Sequence, residues 1–325
     1  MKREPLSFKR SLISLVFLCC SLISIPNSLF SAFQQSNWGS RPIGMGGAFT
    51  GIADDSYAII YNPGGLAQLK RAEVSFMYAK LYTGLDTVNL GLSYFSAAVP
   101  VRNYGCFGFA WTNFTSADEY MEDAFLISFS RYLSGNIAGG INLKYLGHRF
   151  VLDERTKNDP VFKNGNSCYN LTLDAGVLAS FSVGTKKAVT AGLAIKNLTQ
   201  PDVGLKTVDT VPMEITLGAS YRMNETIIPA VDLTYRAQSW GNTEDKLTLH
   251  LGTETWFFNH ILAARGGFSS SEFALGFGLN PPILESRIRL DYSFIWPLEV
   301  QQTQGNHYLT LTVQFNTDSI QKPAK

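Results

Sequence analysis

Residues 287–294 read RIRLDYSF, with Arg287, Arg289, Asp291 and Ser293 alternating with Ile288, Leu290, Tyr292 and Phe294. Successive side chains of a β-strand point to opposite faces, so this segment is a strand with one charged face and one apolar, aromatic face. Such a strand fits two architectures. In a soluble sandwich the apolar face meets a second sheet and the charged face meets water. In a membrane barrel the apolar face meets lipid and the charged face lines the lumen.

The same period of two recurs from residue 72 onward, in segments of about ten residues separated by turn chemistry. The segments are 72–81, 87–99, 104–114, 122–133, 136–147, 168–181, 187–198, 212–223, 226–236, 245–257, 259–268, 271–279, 285–296 and 306–315. They predict an all-β chain of about fourteen strands, an even number as in bacterial outer-membrane barrels.

Loop lengths separate the two architectures. Connections after even-numbered strands are short, as in Pro100–Asn103, Ser134–Gly135, Asn224–Glu225 and Phe258. Those after odd-numbered strands are longer and polar, above all His148–Ser167, with Thr199–Val211, Ala237–Glu244 and Pro297–Gly305; the connection between Phe268 and Ser271 is the exception. Short periplasmic turns and long external loops are the arrangement of a transmembrane antiparallel barrel. Aromatic residues near strand ends (Tyr78, Tyr82, Trp111, Phe114, Trp256 to Phe258 and Trp296) suit the girdles that sit at bilayer interfaces. Packing them in a sandwich core is the other reading, and it leaves the loop asymmetry without a cause.

The chain opens on a basic stretch with Lys2, Arg3, Lys9 and Arg10, followed by the apolar run Ser11–Ile25 and a break at Pro26-Asn27. That run is shorter than the ~20 residues of a membrane helix and reads as a cleaved signal peptide over residues 1–32. Cys19 and Cys20 lie inside it, without the small residues a lipoprotein site needs before them. Removing residues 1–32 takes away two lysines, two arginines and one glutamate, which lowers the formal net charge from +1 to −2 and excludes a basic nucleic-acid surface. Cys106 and Cys168 remain, too few for a disulfide framework, and their pairing stays open. His148, His250, His260 and His307 are scattered, without metal spacing or a serine partner, so neither an enzyme, a metal nor a cofactor is expected.

Ahead of the strands stands GMGGAFTGIADDSYAIIYNPGGLA, residues 44–67. The spacing of Gly44, Gly46 and Gly47 is not that of a dinucleotide fingerprint, and no Gly-Lys-Ser/Thr follows as in a P-loop. Their use is conformational: positive φ and close backbone approach. Asp54 or Asp55 can cap a short helix through Ser56–Tyr61, and Asn62-Pro63-Gly64-Gly65 ends it. So compact a segment before a barrel has the lumen as its place. This divides the chain into a hatch over 33–71, a barrel over 72–315 and a tail over 316–325.

The stretch RPIGMGGAFTGIADDSYAIIYNPGGLA resembles the N-terminal motif of the FadL/PorV superfamily of outer-membrane barrels, with Gly64 where the family has Ala. The closing strand HYLTLTVQF, residues 307–315, is similar to the terminal assembly signal that the barrel-assembly machinery reads. The resemblance implies a fourteen-stranded barrel plugged by a hatch. It also implies transport of a hydrophobic small molecule such as a long-chain fatty acid, which binds near the hatch and leaves sideways through a gap in the wall. Met45, Phe49, Ile52, Ile59, Ile60, Tyr61 and Leu66 are the hatch residues that could touch such a ligand or pack the hatch against the wall. By parity Lys144, Asp174, Lys196, Glu214, Asp232, Arg289 and Asp291 point into the lumen, to orient a carboxylate or to form ion-pair ladders. The alternative function is that of the PorV branch, a component of a protein secretion or surface-attachment system. Location in a bacterial outer membrane, in contact with its lipid, follows from either; oligomeric state is left open.

Overall fold

The computed structural model describes residues 32–33, 38–85, 89–117, 119–183, 186–224, 226–237, 245–281, 287–300 and 302–315. The expected leader, with Cys19 and Cys20, and the tail over 316–325 lie outside the described residues, Ala32 excepted.

Fourteen antiparallel strands follow one another around a closed barrel. They are β1 Ala72–Leu81, β2 Leu90–Val101, β3 Gly105–Ser116, β4 Tyr120–Tyr132, β5 Ile137–Phe150, β6 Ser167–Val183 and β7 Lys186–Lys196. The second half comprises β8 Glu214–Tyr221, β9 Ile227–Arg236, β10 Lys246–Phe257, β11 Leu262–Ser269, β12 Glu272–Leu279, β13 Arg287–Pro297 and β14 Asn306–Phe315. β14 closes on β1, from Ala72 opposite Phe315 to Lys80 opposite His307.

The two faces sort by polarity as the pleat requires. Along β1, Phe76 and Tyr78 are 51% and 60% exposed while Ser75, Met77 and Ala79 are buried. Along β13, Leu290, Tyr292 and Trp296 face out and Arg289, Asp291 and Ser293 face in. The described strands form one closed barrel with no second sheet over its outer face, so the sandwich alternative falls and the apolar outer residues suit lipid as their solvent. Every neighbouring pair is bonded over at least seven residue pairs, and the sideways gap implied by the resemblance is absent among the described residues.

Connections after odd strands lie at one end of the barrel, here the loop end; those after even strands lie at the terminal end, where the chain enters β1 and leaves β14. The loop between β3 and β4 is only residues 117–119, shorter than read from the sequence, because Thr115 and Ser116 still pair with Met121 and Tyr120. A ladder needs backbone groups rather than apolar side chains, so it outlasts the alternation. Three of the expected girdle aromatics face inward: Phe114 and Tyr82 pack against the lumenal core, and the Trp256 indole Nε1 donates to Glu254 at 2.9 Å. Phe114 and Trp256 lie on inward parity, whereas Tyr82 shares the outward parity of Tyr78 but stands past the end of β1 with φ of +48°, where the alternation no longer applies. Cys106 stands near the terminal end of β3 and Cys168 at the loop end of β6, and both thiols are free.

Candidate functional site

The segment ahead of β1 folds inside the barrel. Helix α1, Ser40–Gly44, is followed by tight turns in which Gly46 and Gly47 take φ of +64° and +85°, the left-handed region that favours glycine. Gly46 N donates to Ile43 O at 2.8 Å and Gly47 N to Pro42 O at 3.0 Å, which closes the end of α1. Helix α2 is Ala58–Tyr61, shorter than expected. Its N-cap is Tyr57 and no side chain caps it, in place of the expected aspartate; Asp55 Oδ1 accepts from Tyr57 N at 3.0 Å in the turn before the helix, while Asp54 turns to Arg41. Asn62 then breaks the helix and accepts from Gly64 N at 3.1 Å, with Pro63 opening a 3₁₀ helix to Gln68. Helix α1 was missed in the sequence because five residues with a central proline leave no periodicity.

The seat is made by what the wall lacks. Inward glycines stand directly opposite one another at Gly140 and Gly176, Gly192 and Gly218, and Gly252 and Gly267. A Cβ on Gly267 would lie 2.0 Å from Gly46 N, one on Gly192 2.2 Å from Thr50 O, and one on Gly140 2.4 Å from the Pro63 carbonyl carbon. The wall is therefore stripped to backbone where the inner segment touches it.

Side chains of the wall then satisfy the segment's backbone, as burial demands. Asp232 Oδ2 accepts from Phe49 N at 3.0 Å and Thr50 N at 2.7 Å. The ring of His250, its neighbour across the ladder, bonds Gly46 O through Nδ1 at 2.7 Å. Asn142 donates to Ile59 O at 2.8 Å and Ser130 to Gly64 O at 3.0 Å; in the other direction Asn62 donates to Val177 O at 3.0 Å. Burial pushes the phenols of Tyr57 and Tyr61 well above the ordinary tyrosine value, so both act as neutral partners. Tyr57 donates to Thr310 Oγ1 at 3.3 Å, and Tyr61 accepts from Trp38 N at 3.2 Å.

A closed ring of alternating charges fastens α1 to the wall. Arg41 grips Glu254 through two bonds of 2.8 and 2.9 Å; Glu254 accepts from Arg265 at 2.7 Å, and Arg265 reaches Asp291 at 2.8 Å. Asp291 pairs with Arg289 at 2.7 Å, Arg289 with Asp55 at 2.9 Å, and Asp55 with Arg41 at 2.9 Å. Asp54 adds a contact of 2.6 Å to Arg41. Three guanidinium groups and three carboxylates thus alternate in a buried circuit, where the hydration each lost is offset by two opposite neighbours. Arg41, Glu254 and Arg265 were not singled out in the sequence. The inward parity of LGTETW and AARGGF points to the latter two, whereas Arg41 lies in irregular chain where parity says nothing.

On the loop side of this segment lies a cavity between β3 and β9. Phe33, Trp38, Ile60, Phe114, Leu126 and Leu146 give it an apolar lining, and Lys144, Lys196 and Arg236 bring cations to it. Each cation has a carboxylate: Lys144 with Asp174 at 2.9 Å, and Lys196 and Arg236 both with Glu214 at 2.7 Å. The β7–β8 loop folds inward beside the cavity, burying Val203 and Val211 and holding Asn197 against Lys144 and Asp174. A second, more polar cavity lies between β9 and β1, lined by Glu272, Glu299, His250 and Thr248 among others, and the two share Arg236.

Of the hatch residues named from the sequence, Ile60 lines the first cavity, and Tyr61 lies 5.7 Å below the Lys196 ammonium. Met45, Phe49, Ile52, Ile59 and Leu66 are buried in the contact between segment and wall; Phe49 meets the Tyr61 ring edge-on at 5.5 Å. The lumenal charges divide into the cavity pairs of Lys144, Asp174, Lys196 and Glu214, the backbone clamp of Asp232, and Arg289 with Asp291 in the ring. Phe33, Trp38 and Arg236 went unnamed and Phe114 was read as a girdle residue, although Phe114 and Arg236 lie on inward parity.

No family model matches the chain and no curated protein sequence does. Solved structures do. A FadL homologue of Pseudomonas aeruginosa superposes with a TM-score of 0.57 at 14% identity, over 85% of this chain and 98% of that one. The toluene transporter TbuX of Ralstonia pickettii gives a TM-score of 0.61 at 12% identity, over 88% and 100%. The toluene transporter TodX of Pseudomonas putida gives 0.58 at 12%, over 88% and 99%. At these identities the likeness is one of fold: the chain has the fourteen-stranded architecture of FadL-type barrels.

Proposed function

We propose that this protein carries hydrophobic small molecules, long-chain fatty acids among them, across a bacterial outer membrane, and that it does so without catalysing a reaction. Cargo enters from the loop end and binds in the cavity above α2. The observation that carries this reading is the convergence of Phe33, Trp38, Ile60, Phe114, Leu126 and Leu146 on one lumenal space. An apolar lining inside a polar barrel is a cost that only an apolar occupant repays. Each methylene moved out of water contributes ~0.8 kcal/mol, so capture needs no energy source beyond binding itself. Likeness of fold to transporters of toluene supports the chemical class; the acyl chain is the finer assignment and rests on the motif at residues 41–67.

The test is equilibrium binding of a fatty-acid series to the purified protein. Affinity rises with chain length, by up to ~0.8 kcal/mol per methylene until the cavity is full, and falls in Ile60→Asp. Affinity that is flat across the series, or equal in wild type and Ile60→Asp, refutes the reading and favours a secretion component.

A further inference from the structure

The outward face of β4 is bracketed by charge. Reading from the loop end, its residues are Asp123, Phe125, Ile127, Phe129 and Arg131, with three apolar side chains between an acid and a base. The eight steps from Asp123 to Arg131 span roughly 27 Å of strand, or about 20 Å of membrane depth once a tilt of ~40° is allowed, close to the height of a lipid-facing apolar band. Arg131 therefore stands at the headgroup level of the leaflet at the terminal end.

The two brackets differ in how they are satisfied. Asp123 is held by Trp111 Nε1 at 3.0 Å and Asn113 Nδ2 at 3.0 Å. Arg131 is exposed and meets no carboxylate among the described residues, and the same holds for Arg102 in the turn Val101–Tyr104 beside it. That turn runs into Gly105, whose vacant Cβ position lies 3.1 Å from Arg131 Cβ and 3.1 Å from Phe129 Cε2. On the other side Arg131 is registered with outward-facing Gly139, so neither partner residue carries a side chain of its own there, and the space over Gly139 is covered by Leu133 from the end of the hairpin. Exposed Lys70 and half-buried Arg71 add positive charge at the start of β1. No acid occurs in residues 69–72, 98–108 or 126–142, and nearby Glu73 turns inward to Ser56 N at 2.8 Å.

We propose that Arg102 and Arg131 form a site for the phosphate of an anionic glycerophospholipid in the leaflet at the terminal end. The acyl chains lie along Val99, Phe107, Ile127 and Phe129, which are continuous with the arginines on the outer wall. Unpaired guanidinium groups match a phosphodiester in charge and fork geometry. An acidic peptide meets the charge but not the apolar wall below it, whereas a phospholipid meets both.

Native mass spectrometry of the barrel released from detergent tests this, with phosphatidylglycerol and phosphatidylcholine of the same acyl chains as probes. Wild type retains phosphatidylglycerol preferentially, and the double variant Arg102→Gln/Arg131→Gln loses that preference by roughly tenfold. Single Arg131→Gln loses part of it. Lys80→Gln/Arg149→Gln, at the opposite rim, keeps it. Equal retention of both lipids by wild type, an unchanged preference in the double variant, an equal loss in the loop-rim control, or displacement of the lipid by soluble glycerol 3-phosphate would each overturn the site.

Discussion

Arg41 and Glu254 face each other in a two-bonded ion pair of 2.8 and 2.9 Å, one from the inner segment and one from β10, both buried. This pair joins the segment to the wall within a circuit that closes through Arg265, Asp291, Arg289 and Asp55. Removing one member leaves its partner charged and buried. Arg41→Met is expected to cost about 3–5 kcal/mol, read as a lower unfolding midpoint in denaturant. Arg41→Met combined with Glu254→Gln recovers part of that loss. A single variant as stable as wild type refutes the circuit as a fastening.

Gly266 and Gly267 are adjacent on β11 and face opposite ways. A methyl on Gly266 meets nothing within 4 Å, whereas one on Gly267 falls 2.0 Å from Gly46 N. Gly267→Ala therefore displaces the inner segment and Gly266→Ala does not. Limited proteolysis within residues 40–68 should accelerate only in the first variant, while circular dichroism stays β-dominated in both. Equal cleavage rates contradict the close seat.

Asp232 Oδ2 accepts from two buried amides, those of Phe49 and Thr50. In Asp232→Ala both lose their partner, at about 1–3 kcal/mol each. Amide exchange at Phe49 and Thr50 should quicken by at least tenfold relative to the β-ladder. Exchange as slow as in wild type means the clamp is not what orders the turn.

Cavity affinity should depend on Phe114 more than on Trp111, two residues of β3 at comparable height. Phe114 lines the cavity, while Trp111 points to the outer wall and donates to Asp123. Phe114→Ala weakens binding of a long-chain fatty acid by about 1–3 kcal/mol, and Trp111→Phe leaves it within about 0.5 kcal/mol. Equal effects would move the ligand out of this cavity.

The barrel was legible because a period of two is a one-dimensional signal. Ala72–Leu81 and Asn306–Phe315 appear with the ends expected; the other strands differ by a few residues, longer at ends such as Ser116 and Phe150 where pairing outlasts alternation and shorter at ends such as Leu90, Glu214 and Leu262. Parity also placed Lys144, Glu214 and Asp291 inside. What parity cannot supply is the height of a residue or the path of an irregular chain. Hence Arg41 and Phe33 went unnamed, and apolar hatch residues such as Met45 and Phe49 could not be told from cavity lining until their wall contacts were known. Of the motif's glycines, Gly46 and Gly47 take positive φ, but the wall glycines they and their neighbours lie against, such as Gly140 and Gly176 or Gly252 and Gly267, belong to distant strands and have no local signature.

The inner segment fills the lumen, and without it the barrel is expected to be an open tube. Conductance of single molecules in planar bilayers measures this directly. Intact protein should show little steady current, whereas protein lacking residues 44–67 should show large, long-lived openings, since the facing glycines Gly140 and Gly176, Gly192 and Gly218, and Gly252 and Gly267 leave the wall without side chains where the segment sat. Equal conductance of the intact and shortened proteins would contradict the account.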